Sequence, residues 1–148
     1  MENNSIERKI EIKAAPAKVW DALTDYKKFS QWFGVKLDGP FIAGKTTTGI
    51  NNFKELQMAY MIEKIEPKTF FSYKWTPFPI DKSRDYSKEE PTLVEFTLKE
   101  IPTGTQLTVV ESGFNQIPQD RRAEAFRMHT GGWDAQLENI QEYVLKNS

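Results

Sequence analysis

The sequence predicts an α+β fold, in which an antiparallel β-sheet carries its helices on one side. Three patterns indicate this fold. Segments of alternating apolar and polar residues follow one another through the middle of the chain, separated by short glycine or proline turns. Two short helical segments follow the first strand, and a long amphipathic segment ends the chain. Because the 148 residues are even in composition, we expect one domain, residues 1–148.

The first strand is expected over residues 5–13, where isoleucines alternate with charged residues. Arg8 is the exception, because it shares the face of the isoleucines. Pro16 suits the first turn of the helix that follows. A second short helix comes next, and Gly34 is suited to end it. The apolar face of this second helix consists of Phe29, Trp32 and Phe33.

Strands and turns alternate from residue 35 to residue 113, and we expect about six to seven strands in all. The side chains expected to face inward on the last three strands are Phe71, Tyr73, Trp75, Val94, Phe96, Leu98, Leu107, Val109 and Glu111. Residues 76–91 interrupt the strands with prolines and a run of charges. A loop of that length in a compact domain is commonly functional or mobile, so we expect a mobile flap.

The last segment is one long helix, which begins near Pro118 and runs almost to the end of the chain. Its apolar stripe consists of Phe126, Trp133, Leu137, Ile140 and Val144. Gly131 and Gly132 lie inside this helix, where each costs about 1 kcal/mol relative to alanine. We expect that a close approach of the helix to the sheet accounts for them.

The charge balance excludes several partners. The 20 Lys and Arg residues nearly cancel the 21 Asp and Glu residues and leave a net charge of −1. A nucleic-acid binder with a basic face and a polybasic membrane anchor both need an excess of positive charge, so we expect neither partner. No segment has the apolar length of a signal-peptide core or a membrane span, and we expect a cytoplasmic protein without membrane insertion.

The chain has no cysteine and one histidine, His129. The lack of cysteine excludes disulfides, thiolate metal ligands and cysteine nucleophiles. No group of His, Asp and Glu residues has metal-ligand spacing, and Gly44 and Gly49 lack the lysine of a phosphate-binding loop. The sequence therefore predicts no metal and no cofactor.

Aromatic residues make up 13% of the chain. Two interpretations stay open, because rings fill cores and also line apolar pockets. The candidates for the walls of a ligand pocket are Trp32, Phe33, Phe71, Tyr73, Trp75, Phe96 and Trp133.

Several short motifs occur in a familiar order along nearly the whole chain. They lie at residues 8–10, 15–24, 31–33, 62–67, 104–108, 111–114 and 132–137. Together they resemble the START-like (SRPBCC) superfamily and, within it, the family named after the C-terminal domain of the activator of heat-shock-protein ATPase. This resemblance implies a helix-grip fold, in which a strongly curved antiparallel sheet wraps around the long C-terminal helix. Relatives usually keep a deep, largely apolar cavity between the two.

Arg8 and Glu111 are candidate site residues, since both are expected to face inward. The resemblance makes the first and last strands antiparallel neighbours, which places the two side chains near each other. A charge removed from water needs a partner, so we expect them to meet. The pair is either a structural salt bridge or a polar anchor for the carboxylate or hydroxyl of a ligand.

His129 is the remaining candidate. It lies on the long helix just before the two glycines. An imidazole facing the cavity would suit acid–base work. An isolated histidine without a nucleophile is also common on the surface or at the boundary of a helix, and both interpretations stay open.

Three functions are compatible with these observations. The first is a binding protein for a small hydrophobic molecule held between sheet and helix. The second is a cofactor-free enzyme of polyketide-cyclase or hydrolase type, which would use Arg8, Glu111, Tyr73 or His129 in the same cavity. The third is a regulator of a chaperone ATPase, as the family name implies; it ranks last because the eukaryotic activator also uses an amino-terminal domain. A second copy of the chain, forming a homodimer, is a further candidate partner.

Overall fold

A computed structural model describes residues 4–147 and confirms the α+β fold. In chain order the elements are β1 (Ser5–Ile12), α1 (Pro16–Thr24), α2 (Tyr26–Phe33), β2 (Val35–Leu37), β3 (Thr46–Asn51), β4 (Leu56–Glu66), β5 (Phe70–Trp75), β6 (Thr92–Ile101), β7 (Gly104–Ser112), a 3₁₀ turn (Phe114–Gln116) and α3 (Gln119–Lys146). The strands form one curved, seven-stranded sheet in the order β1-β7-β6-β5-β4-β3-β2. Every neighbouring pair is antiparallel.

Pro16 stands in the first turn of α1 and Gly34 ends α2, as the sequence predicts. The Asp25 side chain accepts hydrogen bonds from the backbone N–H groups of Lys27 and Lys28 and so begins α2. Gly34 ends α2 in the left-handed conformation, with φ of 82°. The indole Nε1 of Trp32 donates to the carbonyl oxygen of Ala22 at 2.7 Å, which joins α2 to α1.

The core lies between the inner face of the sheet and α3. The predicted alternation on β5, β6 and β7 is confirmed, because the side chains expected to face inward on these strands are all buried. On α3 the buried apolar side chains are Ala125, Trp133, Leu137, Ile140 and Val144. Phe126 is only partly buried and packs against Phe114, with ring centroids 5.1 Å apart. None of the helices within residues 4–147 is long and apolar enough to cross a membrane.

The two helix glycines do not mark a close approach to the sheet. A Cβ atom at Gly131 or Gly132 would meet no atom within 4 Å, so this expectation is wrong. The close backbone approaches lie at Gly49 and Gly104 instead. A Cβ atom at Gly49 would lie 2.7 Å from the carbonyl oxygen of Lys36, and one at Gly104 would overlap the carbonyl oxygen of Ile12.

The connection between β5 and β6 is docked on α3, whereas the sequence led us to expect a mobile flap. The Arg121 side chain forms an ion pair with Glu89, and both side chains are only 8% exposed. Arg121 also donates to the carbonyl oxygens of Pro77 and Phe78. Its guanidinium lies 4.8 Å from the ring centroid of Tyr86. The charges of residues 76–91 therefore anchor the loop rather than solvate it.

We expect Arg121→Leu to lower the free energy of unfolding by about 3 kcal/mol, the lower end of the range for a broken buried pair, because the buried Glu89 then keeps only Arg84, 3.3 Å away. Urea unfolding measures the loss. The matched control is Arg8→Leu, which breaks an ion pair with Asp134 whose side chains are 37% and 59% exposed. That change should cost about 0–1 kcal/mol. Equal losses in the two variants would show that the loop is not held by the buried pair.

Candidate functional site

A buried carboxylate near the end of β7 collects four hydrogen-bond donors. The Glu111 side chain is fully buried. Its Oε2 accepts from Trp75 Nε1 at 2.8 Å and from Thr92 Oγ1 at 2.5 Å. Its Oε1 accepts from Trp133 Nε1 at 2.8 Å and lies 2.6 Å from His129 Nδ1. Three elements besides β7 therefore meet at one side chain.

The local structure explains why these donors converge. Glu111 pairs with Val94 across β6 and β7, so its side chain lies on the inner face of the sheet. His129 and Trp133 are separated by four positions, which places them one above the other on the same face of α3. Trp75 is the last residue of β5 and points to the same side.

The charge interaction with His129 and the surrounding hydrogen bonds offset the cost of burying the Glu111 carboxylate. Burial by itself raises the pKa of the carboxyl, because a charge is poorly solvated inside a protein. The positive charge of a protonated His129 and the hydrogen bonds from His129, Thr92 and Trp75 act in the opposite direction. Together they hold the pKa of Glu111 below its ordinary value of 4.5.

A pocket of about 400 Å³ opens beside this carboxylate. It lies between α3, the end of β5, the β3–β4 turn and the start of the loop that follows β5. Its walls consist of Phe33, Gly34, Asn51, Asn52, Phe53, Leu56, Met58, Trp75, Phe78, Pro79, Met128, His129, Gly132, Trp133 and Gln136. Most of these side chains are apolar, and three of the four donors to Glu111 are among them.

Four residues expected at the site line this pocket: Phe33, Trp75, His129 and Trp133. The other aromatic candidates, Trp32, Phe71, Tyr73 and Phe96, are buried in the core and do not line it. Alternation placed the β5 side chains on the correct face, but only the last residue of the strand reaches the pocket. Both interpretations of the aromatic residues therefore hold, each for a different part of the set.

The expected contact between Arg8 and Glu111 is wrong. Arg8 pairs with Val109 across β1 and β7, and Ile6 lies opposite Glu111. The Arg8 guanidinium reaches the side of α3, where its Nε donates to Asp134 at 2.8 Å. Glu111 needs no arginine, because an imidazole, two indoles and a hydroxyl already satisfy it.

The rest of the lining was not predicted from the sequence. Met128, Gly132 and Gln136 follow each other at four-residue spacing on α3, next to His129 and Trp133. Once His129 is assigned to the pocket, this spacing predicts that these three neighbours on α3 line it as well. The β3–β4 turn carried no comparable pattern, because its placement depends on the register of the two strands.

Two buried tyrosine hydroxyls lie behind the pocket. Those of Tyr60 and Tyr73 have no hydrogen-bond partner among the described residues. Their ring centroids are 5.2 Å apart. Burial raises the pKa of both phenols, and the neighbouring Glu111 charge adds to the shift at Tyr73, so both stay neutral.

Residues 4–147 contain no group of three His, Cys, Asp or Glu side chains placed to hold a metal ion. The polar groups that line the pocket are the amides of Asn51, Asn52 and Gln136 and the imidazole of His129.

A curved antiparallel sheet that grips a long C-terminal helix, with a pocket between them, defines the START-like class of proteins. The family model described as "Activator of Hsp90 ATPase homolog 1-like protein" matches residues 13–145. The chain belongs to this family, as the motifs in the sequence indicated.

Solved structures agree with this assignment at the level of the fold. Protein MLL2253 from Mesorhizobium loti has a TM-score of 0.80 and 24% identity, over 97% of this chain and 98% of that one. The Aha1 dimer from Colwellia psychrerythraea has a TM-score of 0.74 and 18% identity, over 95% of each chain. DynU16, from the dynemicin biosynthetic locus, has a TM-score of 0.75 and 21% identity, over 98% of this chain and 48% of that one. No curated protein matches the sequence significantly.

We expect Glu111→Gln to lower the free energy of unfolding at neutral pH by about 3 kcal/mol, because it removes one partner of a buried pair. The pKa of Glu111 is lowered by folding, so its stabilisation is present at neutral pH and disappears as the pH falls below about 4.5. Wild-type stability should therefore fall more steeply with acid than that of the variant. Urea unfolding across this pH range measures both effects.

The matched control is Glu138→Gln on the exposed side of α3. This substitution should change stability by no more than about 0.5 kcal/mol and leave the wild-type pH profile intact. Identical profiles for wild type and Glu111→Gln would mean that the carboxylate does not titrate as the structure indicates.

Proposed function

We propose that the protein binds a small hydrophobic molecule in the pocket between α3 and the sheet. The observation that carries this proposal is the pocket itself, about 400 Å³ in volume and walled mainly by rings and aliphatic side chains. Apolar clefts of about 300–1,000 Å³ with a few fixed polar groups are typical of small-molecule sites.

The aromatic walls are held in place before any ligand enters. Trp75 and Trp133 are each fixed by a hydrogen bond to Glu111. Phe33 contacts both indoles, with ring centroids 5.9 Å and 6.2 Å away. Gln136 donates to the carbonyl oxygen of Phe33 at 2.9 Å and ties α2 to α3 beside the pocket. Walls that are already ordered lower the entropic cost of binding.

The mouth of the pocket also favours an apolar ligand. Phe53 lies on the β3–β4 turn at the rim and is 49% exposed. An exposed ring next to an apolar cleft gains free energy when a ligand covers it. We also propose that the protein is cytoplasmic and binds its ligand there.

Catalysis on the bound molecule is the second candidate function. A carboxylate that holds Nδ1 of an imidazole orients the ring for acid–base chemistry, and the Glu111–His129 pair has this arrangement. Arg8 and Tyr73 drop out of the catalytic set, because the first pairs with Asp134 and the second lies outside the pocket. Hydrolysis of a chromogenic ester that disappears in His129→Asn would support catalysis.

Two protein partners belong to the proposal as well. The family description suggests a chaperone ATPase, and stimulation of Hsp90 ATPase activity by the purified chain is the direct test. The Colwellia relative is described as a dimer, which favours a homodimer here. Sedimentation across a range of concentrations tests that expectation.

We expect Gly132→Leu to abolish binding of a neutral apolar dye such as Nile red. Gly132 lines the pocket, and a Cβ atom there would meet no atom within 4 Å, so we expect a leucine side chain to occupy the pocket. Fluorescence titration should show an affinity at least about tenfold weaker than that of wild type.

Gly131→Leu is the matched control, because Gly131 is exposed and does not line the pocket. Both substitutions replace glycine inside a helix and should stabilise the fold by up to about 1 kcal/mol. Only Gly132→Leu should affect the dye. The proposed site would be wrong if Nile red failed to bind the wild type or bound both variants equally.

A further inference from the structure

The imidazole of His129 is held at one nitrogen and free at the other. Nδ1 lies 2.6 Å from Glu111 Oε1. The ring is further fixed by contacts with Trp75 and Phe114, whose ring centroids are 5.5 Å and 5.9 Å away. Nε2 has no hydrogen-bond partner among the described residues. It is not fully buried, because the fully buried side-chain atoms without a partner are the hydroxyls of Tyr60 and Tyr73. Because His129 lines the pocket, Nε2 is open to it.

His129 carries the only ionisable group among the described residues that line the pocket. The other polar groups there are the amides of Asn51, Asn52 and Gln136. Glu111 lies directly behind the ring, but its oxygens are taken by four donors, so no free anion faces a ligand. The pocket therefore offers a cationic ligand no counter-charge.

Because Glu111 binds Nδ1, the charge of the imidazole decides whether Nε2 donates or accepts a hydrogen bond. When the imidazole is neutral, Glu111 holds Nδ1–H and Nε2 accepts a hydrogen bond. When the imidazole is protonated, Nε2–H donates, and the buried carboxylate balances the charge. A carboxylic acid suits both states: its O–H donates to neutral Nε2, or its proton moves to Nε2 and leaves a carboxylate paired with the imidazolium. A neutral ester has no proton to donate and no charge to balance an imidazolium, so it gains no comparable contact with Nε2.

We propose that the pocket selects apolar carboxylic acids, with the head group hydrogen-bonded to Nε2 of His129 and the apolar body against the aromatic walls. This inference rests on the proposed binding function and names its ligand class. No heavy-atom bond is made or broken on binding. The only change in bonding is at the proton on Nε2, which comes from the acid itself or, when the ligand enters as its carboxylate, from the solvent.

The first test uses decanoic acid and its methyl ester as probes of equal chain length. His129 is the only histidine, so its imidazole ¹⁵N signals need no assignment. Decanoic acid should shift the Nε2 signal towards the protonated form, and the ester should enter the pocket without that shift. A change in tryptophan emission, to which Trp75 and Trp133 in the pocket walls contribute, reports occupancy for both probes. Equal Nε2 shifts with acid and ester would overturn the inference.

The second test is His129→Asn, whose amide still offers Glu111 a donor but lacks Nε2. Affinity for decanoic acid should fall roughly ten- to hundredfold, which is the range of a charge-assisted hydrogen bond. Affinity for methyl decanoate should stay at its wild-type value. Equal weakening of both probes would mean that His129 is only a wall, and the inference would be wrong.

The two proposals fail in different ways. If the ester binds and the acid binds no better, the ligand class is wrong and the binding function stands. If neither probe changes the tryptophan fluorescence of the wild type, both proposals are wrong. The wild-type NMR experiment keeps the inference testable even if His129→Asn does not fold.

Discussion

The Glu111 carboxylate imposes the strictest requirement on this fold. Moving one charge out of water costs several kcal/mol unless the surrounding groups replace its hydration. Here the replacement comes from side chains on β5, β6 and α3, so none of these elements can shift along its neighbour without leaving the charge unsatisfied. The same contacts fix two of the rings that form the pocket. Stability and pocket geometry thus depend on one side chain.

The polar contacts of α3 fix its position along the sheet, which its apolar stripe alone would leave adjustable. Arg121 binds the β5–β6 connection near the first turn of the helix. Gln136 holds the end of α2, and Gln141 donates to the carbonyl oxygen of Glu11 on β1. These contacts lie at both ends and in the middle of the helix. Between the first two, Gly132 leaves room that a side chain would otherwise occupy.

Local patterns predicted the fold well, because period-two alternation and the signals at Pro16 and Gly34 depend only on neighbouring residues. The site was predicted in part. Alternation identified Trp75 and Glu111 as inward-facing, but a face says nothing about which end of a strand meets a pocket. The Arg8 prediction failed because the register of β1 and β7 places Ile6, not Arg8, opposite Glu111, and alternation does not fix register. Loop docking was missed because it pairs residues that are distant in sequence.

The docked loop affects which residues can change the ligand selectivity of the pocket. Substitution of Trp75 or Trp133 would destabilise the fold, because both indoles donate hydrogen bonds to the buried Glu111 carboxylate. The opposite rim consists of Phe53, Phe78 and Pro79, whose side chains form no hydrogen bond with Glu111. Substitutions on that rim would reshape the entrance while leaving the folding core intact. New ligand preferences would therefore arise in the two loops, whereas the floor of the pocket would stay as it is.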